Sequence, residues 1–441
     1  MKKIGFAFLY CISVINVLAQ DFNSQKLDSF FNALDANKKI MGSVAISKKG
    51  KIIYTKSIGF IDENKAINAN SNTKYRIGSI SKMFTATIIF QLIEEKKITL
   101  ETTLDKYFKQ IPNSDKITIG NMLNHRTGIF NITNDTNYLN WCSNVISQKE
   151  MIDKIAVFPS QFEPNTKAEY SNSNFILLTY IIEKITKKSY VENLSKRIIN
   201  KLSLKNTFYG GKINNANNEA ISFDFEIDSF KKFEPETNMS VPLGAGAIIS
   251  TPSELTLFIE ALFAEKLVNK SSLQQMQSIT DGMGMGMFSF PFYNHKAFGH
   301  TGGIDGFSSN LGYFPKDSLA FSYCLNGSNY NGNDIAIAIL NTCFNKKYKI
   351  PDFKKSAKNN INLLKYVGIY SSPKFPLKIT ISSDGKNLFA QATGQSAFAL
   401  EYSSTDTFVY ETANIELIFD VEKEQMILNQ SGKQFTLKKE K

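Results

Sequence analysis

Arg76-Ile77-Gly78-Ser79-Ile80-Ser81-Lys82-Met83-Phe84 puts a serine and a lysine one helical turn apart at the mouth of an apolar helix, and the chain is read outward from it. Over 83–93 the apolar positions Met83, Phe84, Ala86, Ile88, Ile89, Phe90, Leu92 and Ile93 leave almost no polar face. The helix is therefore expected to be buried rather than to lie on the surface. A lysine at the start of a buried helix must have its charge solvated, paired or given up, and the three-residue spacing sets its amine beside the Ser79 hydroxyl. An activated nucleophile needs that geometry: a weak hydroxyl next to a group whose burial lowers its pKa, at a helix N-terminus that favours negative charge. The same S-x-x-K spacing occurs at Ser71/Lys74, Ser229/Lys232, Ser371/Lys374 and Ser383/Lys386. None of these opens an apolar helix, and Pro373 and the Asp384-Gly385 turn argue against one. Taken alone, Ser79 and Lys82 also read as a helix-cap serine and a snorkelling lysine, so the surrounding sequence has to decide.

At 441 residues and 42% apolar, the chain is long enough for two or three domains with a proper core. It starts with Lys2 and Lys3, an apolar run from Ile4, and a small residue at Ala19. Residues 1–19 therefore read as a secretory leader cleaved near Ala19/Gln20, and the protein is expected to be secreted or periplasmic. The alternative, a membrane anchor, is opposed by Ser13 and Asn16, which interrupt an already short run. The formal charge is +11, two units of it from Lys2 and Lys3, and the excess is spread as lysine along the whole chain. Without basic clusters interleaved with aromatics, this is a solvated basic surface and no nucleic-acid partner is expected. Beyond the leader, Cys142, Cys324 and Cys343 are odd in number and widely spaced, which rules out a disulfide scaffold and leaves one bridge open. With only His125, His295 and His300, no H-E-x-x-H and no paired cysteines, neither a metal nor a cofactor is expected.

Leu27, Phe30, Phe31 and Leu34 recur at helical spacing, and 44–47 and 52–57 flank Lys48-Lys49-Gly50 as a β-hairpin. From the Ser79 helix to about residue 280 the pattern is mostly helical, as over 175–185. Strand patterns return at 298–301, 308–314 and 319–325, and a helix is expected over 334–344. Strands at both ends of a helical insertion predict one α+β domain whose sheet is assembled from distant parts of the chain. The polar, lysine-rich 348–360 reads as a linker. After it, 367–370, 377–382, 388–390, 407–410, 415–419 and 426–429 predict a small all-β barrel or sandwich. The division is then 1–19, 20–347, 348–360 and 361–441.

Three further stretches bear on Ser79. Glu169-Tyr170-Ser171-Asn172-Ser173-Asn174 offers a phenol and an amide two residues apart just before a helix. A buried phenol near a lysine could be held as phenolate, or share its proton and act as base and then acid. Tyr138-Leu139-Asn140 shows that Y-x-N also arises without such a context. Phe298-Gly299-His300-Thr301-Gly302-Gly303 is a strand whose glycines would let a substrate backbone approach closely. Leu123-Asn124-His125-Arg126-Thr127-Gly128 alone reads only as a loop.

In the order S-x-x-K, Y-x-N, H-T-G, this set resembles the serine β-lactamase and penicillin-binding-protein superfamily, in its class C β-lactamase-like branch. That branch includes D-alanyl-D-alanine carboxypeptidases, D-aminopeptidases and esterases. The likeness runs from about Leu27 to Phe344 and takes in LNHRTGI, GAGAIISTPSEL (from Gly244) and GHTGGIDGFSSNLGYFP (from Gly299). The tail from Ile361 resembles a lipocalin-like β-domain appended to some members. The resemblance implies an antiparallel sheet flanked by helices, with a helical subdomain, followed by a barrel-like domain. It makes Ser79 the nucleophile, Lys82 its activating partner, Tyr170 the base and proton shuttle, and Asn172 a ligand for the substrate amide. His300 and Thr301, with Gly302, would line the pocket beside a substrate carboxylate, and the backbone N–H groups of Ser79 and Gly303 would form the oxyanion hole. One position departs from β-lactamases and most transpeptidases, which carry lysine where His300 stands. A neutral imidazole anchors a carboxylate less strongly than an ammonium, and an unperturbed one would reward carboxylate substrates as pH falls through about 6.5.

The implied activity is that of an exported serine hydrolase forming a Ser79 acyl-enzyme on an amide or ester, foremost a D-amino-acid peptide of the cell wall. An esterase, a weak β-lactamase, and a penicillin-binding sensor without turnover are the alternatives. The corresponding partners are a small peptide, ester or β-lactam, and peptidoglycan; the oligomeric state is left open.

Overall fold

A computed structural model describes residues 22–62, 66–226, 229–353, 362–393, 397–410, 415–430 and 433–440. The expected leader, 1–19, lies outside them. The first helix, α1 (Ser24–Ala36), is capped by Asn23 and buries the four apolar residues that announced it, Leu27, Phe30, Phe31 and Leu34. Strands β1 (Ile40–Lys48) and β2 (Lys51–Ile58) follow as the expected hairpin. Lys49 and Gly50 turn it with φ of 53° and 77°, the left-handed pair that matches strand twist in a tight turn.

The rest of the main sheet comes from far along the chain: β3 (Phe288–Phe292), β4 (His295–Ile304), β5 (Phe307–Phe314) and β6 (Leu319–Ser328). The order is β3-β4-β5-β6-β1-β2, antiparallel throughout, with β1 paired to β6 from Ile40↔Ser328 to Lys48↔Leu319. Both faces are covered, so β1 is buried along nearly its whole length. Alternate side chains serve two cores: Phe321, Tyr323 and Leu325 pack with α1 and α5 (Gly332–Cys343), and Ala320 and Cys324 with the helical layer. That layer is built on α2 (Ser81–Glu94), α3 (Asn172–Thr186) and α4 (Pro252–Phe263). Every residue of α2 from Ser81 to Leu92 is buried, and Phe84 stacks on Phe258 of α4 at 3.7 Å.

Just before α2, and between it and β3, the structure holds strands that the mostly helical pattern did not suggest. Tyr75–Arg76, Ile248–Ser250 and Phe208–Tyr209 form a small sheet, and Phe223–Glu226 pairs with Ser229–Lys232. Strands of two to four residues are too short to show a period of two. β3 also went unforeseen, since Pro291 sits inside it; the proline is tolerated because β3 is an edge strand.

The C-terminal part is a closed barrel of β7 (Gly368–Ser372), β8 (Phe375–Ser383), β9 (Leu388–Ala392), β10 (Phe398–Ser404), β11 (Thr407–Tyr410), β12 (Ile415–Asp420), β13 (Gln425–Gln430) and β14 (Lys433–Lys439). Pairing of Tyr370 with Lys439 closes it, which decides between the expected barrel and sandwich. Of the stretch expected as a linker, Tyr348 and Phe353 pack against the α1 core, while 354–360 lie outside the described residues. Cys142, Cys324 and Cys343 are all free thiols, which settles the bridge left open above.

Candidate active site

The Ser79 turn is made by backbone contacts that only glycine allows. Gly78 has φ of 49°, and a Cβ on it would stand 2.8 Å from both N and O of Gly303 in β4. A Cβ on Gly302 would stand 2.0 Å from the carbonyl oxygen of Ile77, to which Ser309 Oγ donates a hydrogen bond at 2.9 Å. The chain just before Ser79 and the Gly302-Gly303 stretch therefore lie backbone to backbone, with the Gly303 amide against Gly78. Arg76 locks the approach from below. Its guanidinium donates to the carbonyls of Thr237 (3.1 Å) and Gly211 (2.9 Å), to Asp305 (2.5 Å) just past β4, and to Glu236.

Lys82 is fully buried, and its Nζ lies 2.9 Å from Ser79 Oγ, 2.8 Å from Asn172 Oδ1 and 2.7 Å from the carbonyl of Ala245. Asn172 is oriented by its own amide nitrogen, which donates to Asn131 Oδ1 (3.2 Å) and Thr133 Oγ1 (3.1 Å). Burial holds the Lys82 amine well below the ordinary lysine value. A neutral amine has two N–H bonds and one lone pair. Asn172 Oδ1 and the Ala245 carbonyl can only accept, so they take the two N–H bonds and the lone pair is left facing the Ser79 hydroxyl.

Tyr170 immediately precedes Ser171, the N-cap residue of α3, and its phenol lies beside the Ser79 hydroxyl. Burial pushes the phenol above its ordinary value. With burial also lowering the amine, this favours a protonated phenol over the phenolate, one of the two states considered from the sequence. The Tyr170 ring lies 4.4 Å from the His125 ring and about as far from His300 (6.2 Å) as from Phe288 (6.3 Å).

His300 is 3% exposed, and its ring packs at 4.5 Å on Phe288. Its Nδ1 lies 2.5 Å from the Thr301 carbonyl, which can only accept, so Nδ1 carries the proton and Nε2 the lone pair. Burial, with Lys82 nearby, pushes its pKa down to about 3. Titration near 6.5 is therefore not what this environment gives, and the lone pair at Nε2 is an acceptor that repels a carboxylate. Thr301 and Gly303 are exposed and Gly302 half-buried.

The structure thus brings Ser79, Lys82, Tyr170, Asn172 and His300 together, with Gly303 against the Ser79 turn. It differs from expectation at Asn172, whose amide is committed to Lys82, Asn131 and Thr133. Asn131, Thr133, Ala245 and Phe288 were not foreseen. For Ala245 the signal was present in the Gly244-Ala245-Gly246-Ala247 run, but a backbone carbonyl leaves no side-chain signature.

A family model described as Beta-lactamase matches residues 27–344. Penicillin-binding protein 4* of Bacillus subtilis (strain 168) is 25% identical over 422 residues, 89% of this chain and 93% of that protein. Teichoic acid D-alanine hydrolase of Staphylococcus aureus (strain MRSA252) is 27% identical over 256 residues, 57% of this chain and 62% of that protein. Among solved structures, the octameric penicillin-binding protein homologue from Pyrococcus abyssi aligns with a TM-score of 0.68 at 22% identity, covering 94% of this chain and 100% of that one. The D-amino acid amidase of Ochrobactrum anthropi SV3 aligns with a TM-score of 0.65 at 22% identity, covering 73% and 99%. These two share the fold.

Proposed function

The chain belongs to the Beta-lactamase family as a serine hydrolase, and on that premise we propose that it cleaves D-aminoacyl amides, peptides or esters through an acyl-Ser79 intermediate. The observation that carries this reading is the buried Lys82 amine 2.9 Å from Ser79 Oγ, with Asn172 Oδ1 and the Ala245 carbonyl, which can only accept, at 2.8 and 2.7 Å. As Ser79 Oγ attacks the carbonyl carbon, Lys82 takes its proton. The negative charge gathering on the carbonyl oxygen falls to the N–H groups of Ser79 and Gly303. Tyr170 gives its proton to the departing nitrogen or oxygen and recovers one from the Lys82 ammonium, leaving both groups neutral again. Water then attacks the acyl-enzyme along the reverse proton path, releasing the acid and free Ser79.

The name of the Staphylococcus aureus relative, teichoic acid D-alanine hydrolase, supports a D-alanyl substrate of the cell envelope, and the leader read in residues 1–19 supports export to meet it. Neutral His300 with an acceptor at Nε2 favours amide or ester substrates over peptides ending in a free carboxylate. We assign the reaction to residues 20–347 and give the barrel no chemical step.

The test uses the purified full chain. Fluorophosphonate and labelled penicillin should each add one adduct by intact mass, mapped to Ser79, and D-alanine amide or a D-alanyl ester should be hydrolysed faster than D-Ala-D-Ala peptides. Labelling that persists in Ser79→Ala would remove the nucleophile assignment.

A further inference from the structure

The Leu123 to Gly128 stretch, which the mechanism above leaves without a role, meets the site through His125. This residue is 2% exposed and has φ of 59°, a conformation a non-glycine residue keeps only when its surroundings hold it there. Its contacts converge on one neighbour. The His125 carbonyl accepts a hydrogen bond from the Glu169 amide at 2.9 Å, and its Nδ1 accepts one from the Ser171 amide at 3.2 Å. Between those two anchors its ring lies 4.4 Å from the Tyr170 ring, tilted by 31°. The residues before and after Tyr170, and Tyr170 itself, are thus all gripped by one side chain and its own backbone.

The ring has a single compatible proton arrangement. Asn174 Nδ2 lies 3.4 Å from the same Nδ1 and is oriented by Thr127, whose hydroxyl donates to Asn174 Oδ1 at 2.8 Å. Two N–H donors at Nδ1 require a lone pair there, which places the imidazole proton on Nε2. Lys82 and His300 are the titratable groups nearby that oppose a charge on the ring, and its burial opposes one as well.

We propose that His125 is the positioning residue for Tyr170, fixing the phenol beside Ser79, where it delivers the leaving-group proton. The proposal rests on the functional reading above. It requires the ring nitrogen more than the ring itself, because the Ser171 amide sets both the Tyr170 backbone and the start of α3.

Two variants and two substrates test it. His125→Phe keeps a ring over Tyr170 and loses the acceptor, whereas His125→Asn keeps an acceptor, tolerates positive φ and loses the ring. Methyl butyrate and p-nitrophenyl butyrate share an acyl group, but only the methoxide needs a proton to leave. Acylation rates are normalised to sites titrated with fluorophosphonate, so that unfolded protein does not enter. In His125→Phe the methyl ester should slow by about 10- to 100-fold through kcat with KM unchanged, while the p-nitrophenyl ester changes by about twofold or less. His125→Asn should recover most of the methyl ester rate. Equal slowing of both esters in His125→Phe, or none in titrated sites, would reduce His125 to a structural residue and overturn the proposal. Retention of hydrolysis in Ser79→Ala would instead overturn the reading beneath it.

Discussion

Arg76 and Lys82 stand on either side of Ser79, both with side chains removed from water, and their surroundings treat them in opposite ways. Arg76 is 1% exposed at its side chain and meets Asp305, 5% exposed, with Glu236 beside it and two carbonyls taking further N–H bonds. Its charge is compensated and its geometry fixed, so it braces the turn and β4. Lys82 is equally buried but, among the described residues, its hydrogen-bond partners are a hydroxyl, an amide oxygen and a carbonyl, with the Tyr170 and Phe175 rings at 5.0 and 5.7 Å and no carboxylate pairing it. A buried cation without a partner gives up its proton, and the lone pair that results is what Ser79 requires. Burial alone therefore does not mark a reactive base. Burial beside neutral acceptors does.

The sharpest way to break this contrast is to make residue 82 resemble residue 76. Lys82→Arg introduces a permanent positive charge, because a guanidinium does not deprotonate in proteins. Acylation should fall by about 10³-fold or more, as far as in Lys82→Ala, measured by single-turnover ester cleavage. Next in size is the converse loss at the brace. Arg76→Met leaves Asp305 buried and unpaired, and urea unfolding should show a loss of about 3–5 kcal/mol.

A smaller effect concerns stability against pH. Folded Lys82 has a depressed pKa, so the unfolded chain binds an extra proton between that value and the ordinary lysine value of about 10.4. Wild-type stability contributed by this group therefore rises with pH across that window. Lys82→Met removes the penalty: it should be more stable than wild type near neutral pH by on the order of 1 kcal/mol, with the gain shrinking as pH approaches 10. Thermal melts of both proteins at several pH values check this. The smallest expected effect is at His300. With its pKa near 3 in the fold, KM for a carboxylate-bearing peptide relative to a neutral ester should stay within about twofold between pH 5 and 8. A ratio that falls as pH drops through 6.5 would show a titrating imidazole after all.

Much of this was legible in the sequence because strong local patterns coincide with the site. The apolar positions of α2, which leave almost no polar face, announced its burial, and the serine and lysine ahead of them announced the chemistry. The long strands β1, β2, β5 and β6 showed themselves through composition and turns. Phe398–Ser404 and Lys433–Lys439 did not, since exposed residues dominate both and little apolar pattern is left to read. The site's second layer was illegible for a different reason. The Ala245 carbonyl and the His125 grip on residues 169–171 act through backbone groups or across long sequence separations. Protonation is less legible where burial decides it: the sequence allows a phenolate at Tyr170 and a solution value at His300, and their environments move both away from charge.

The central claim is that Lys82 is neutral at rest and takes the Ser79 proton. The most direct measurement is kcat/KM for an uncharged ester from pH 6 to pH 10, since that ratio reports the ionisations of the free enzyme. The account predicts a plateau reached near neutral pH, with any acid limb well below the ordinary lysine value. A rate that climbs tenfold per pH unit up to about pH 10 would mean a lysine that keeps its proton, and would contradict it.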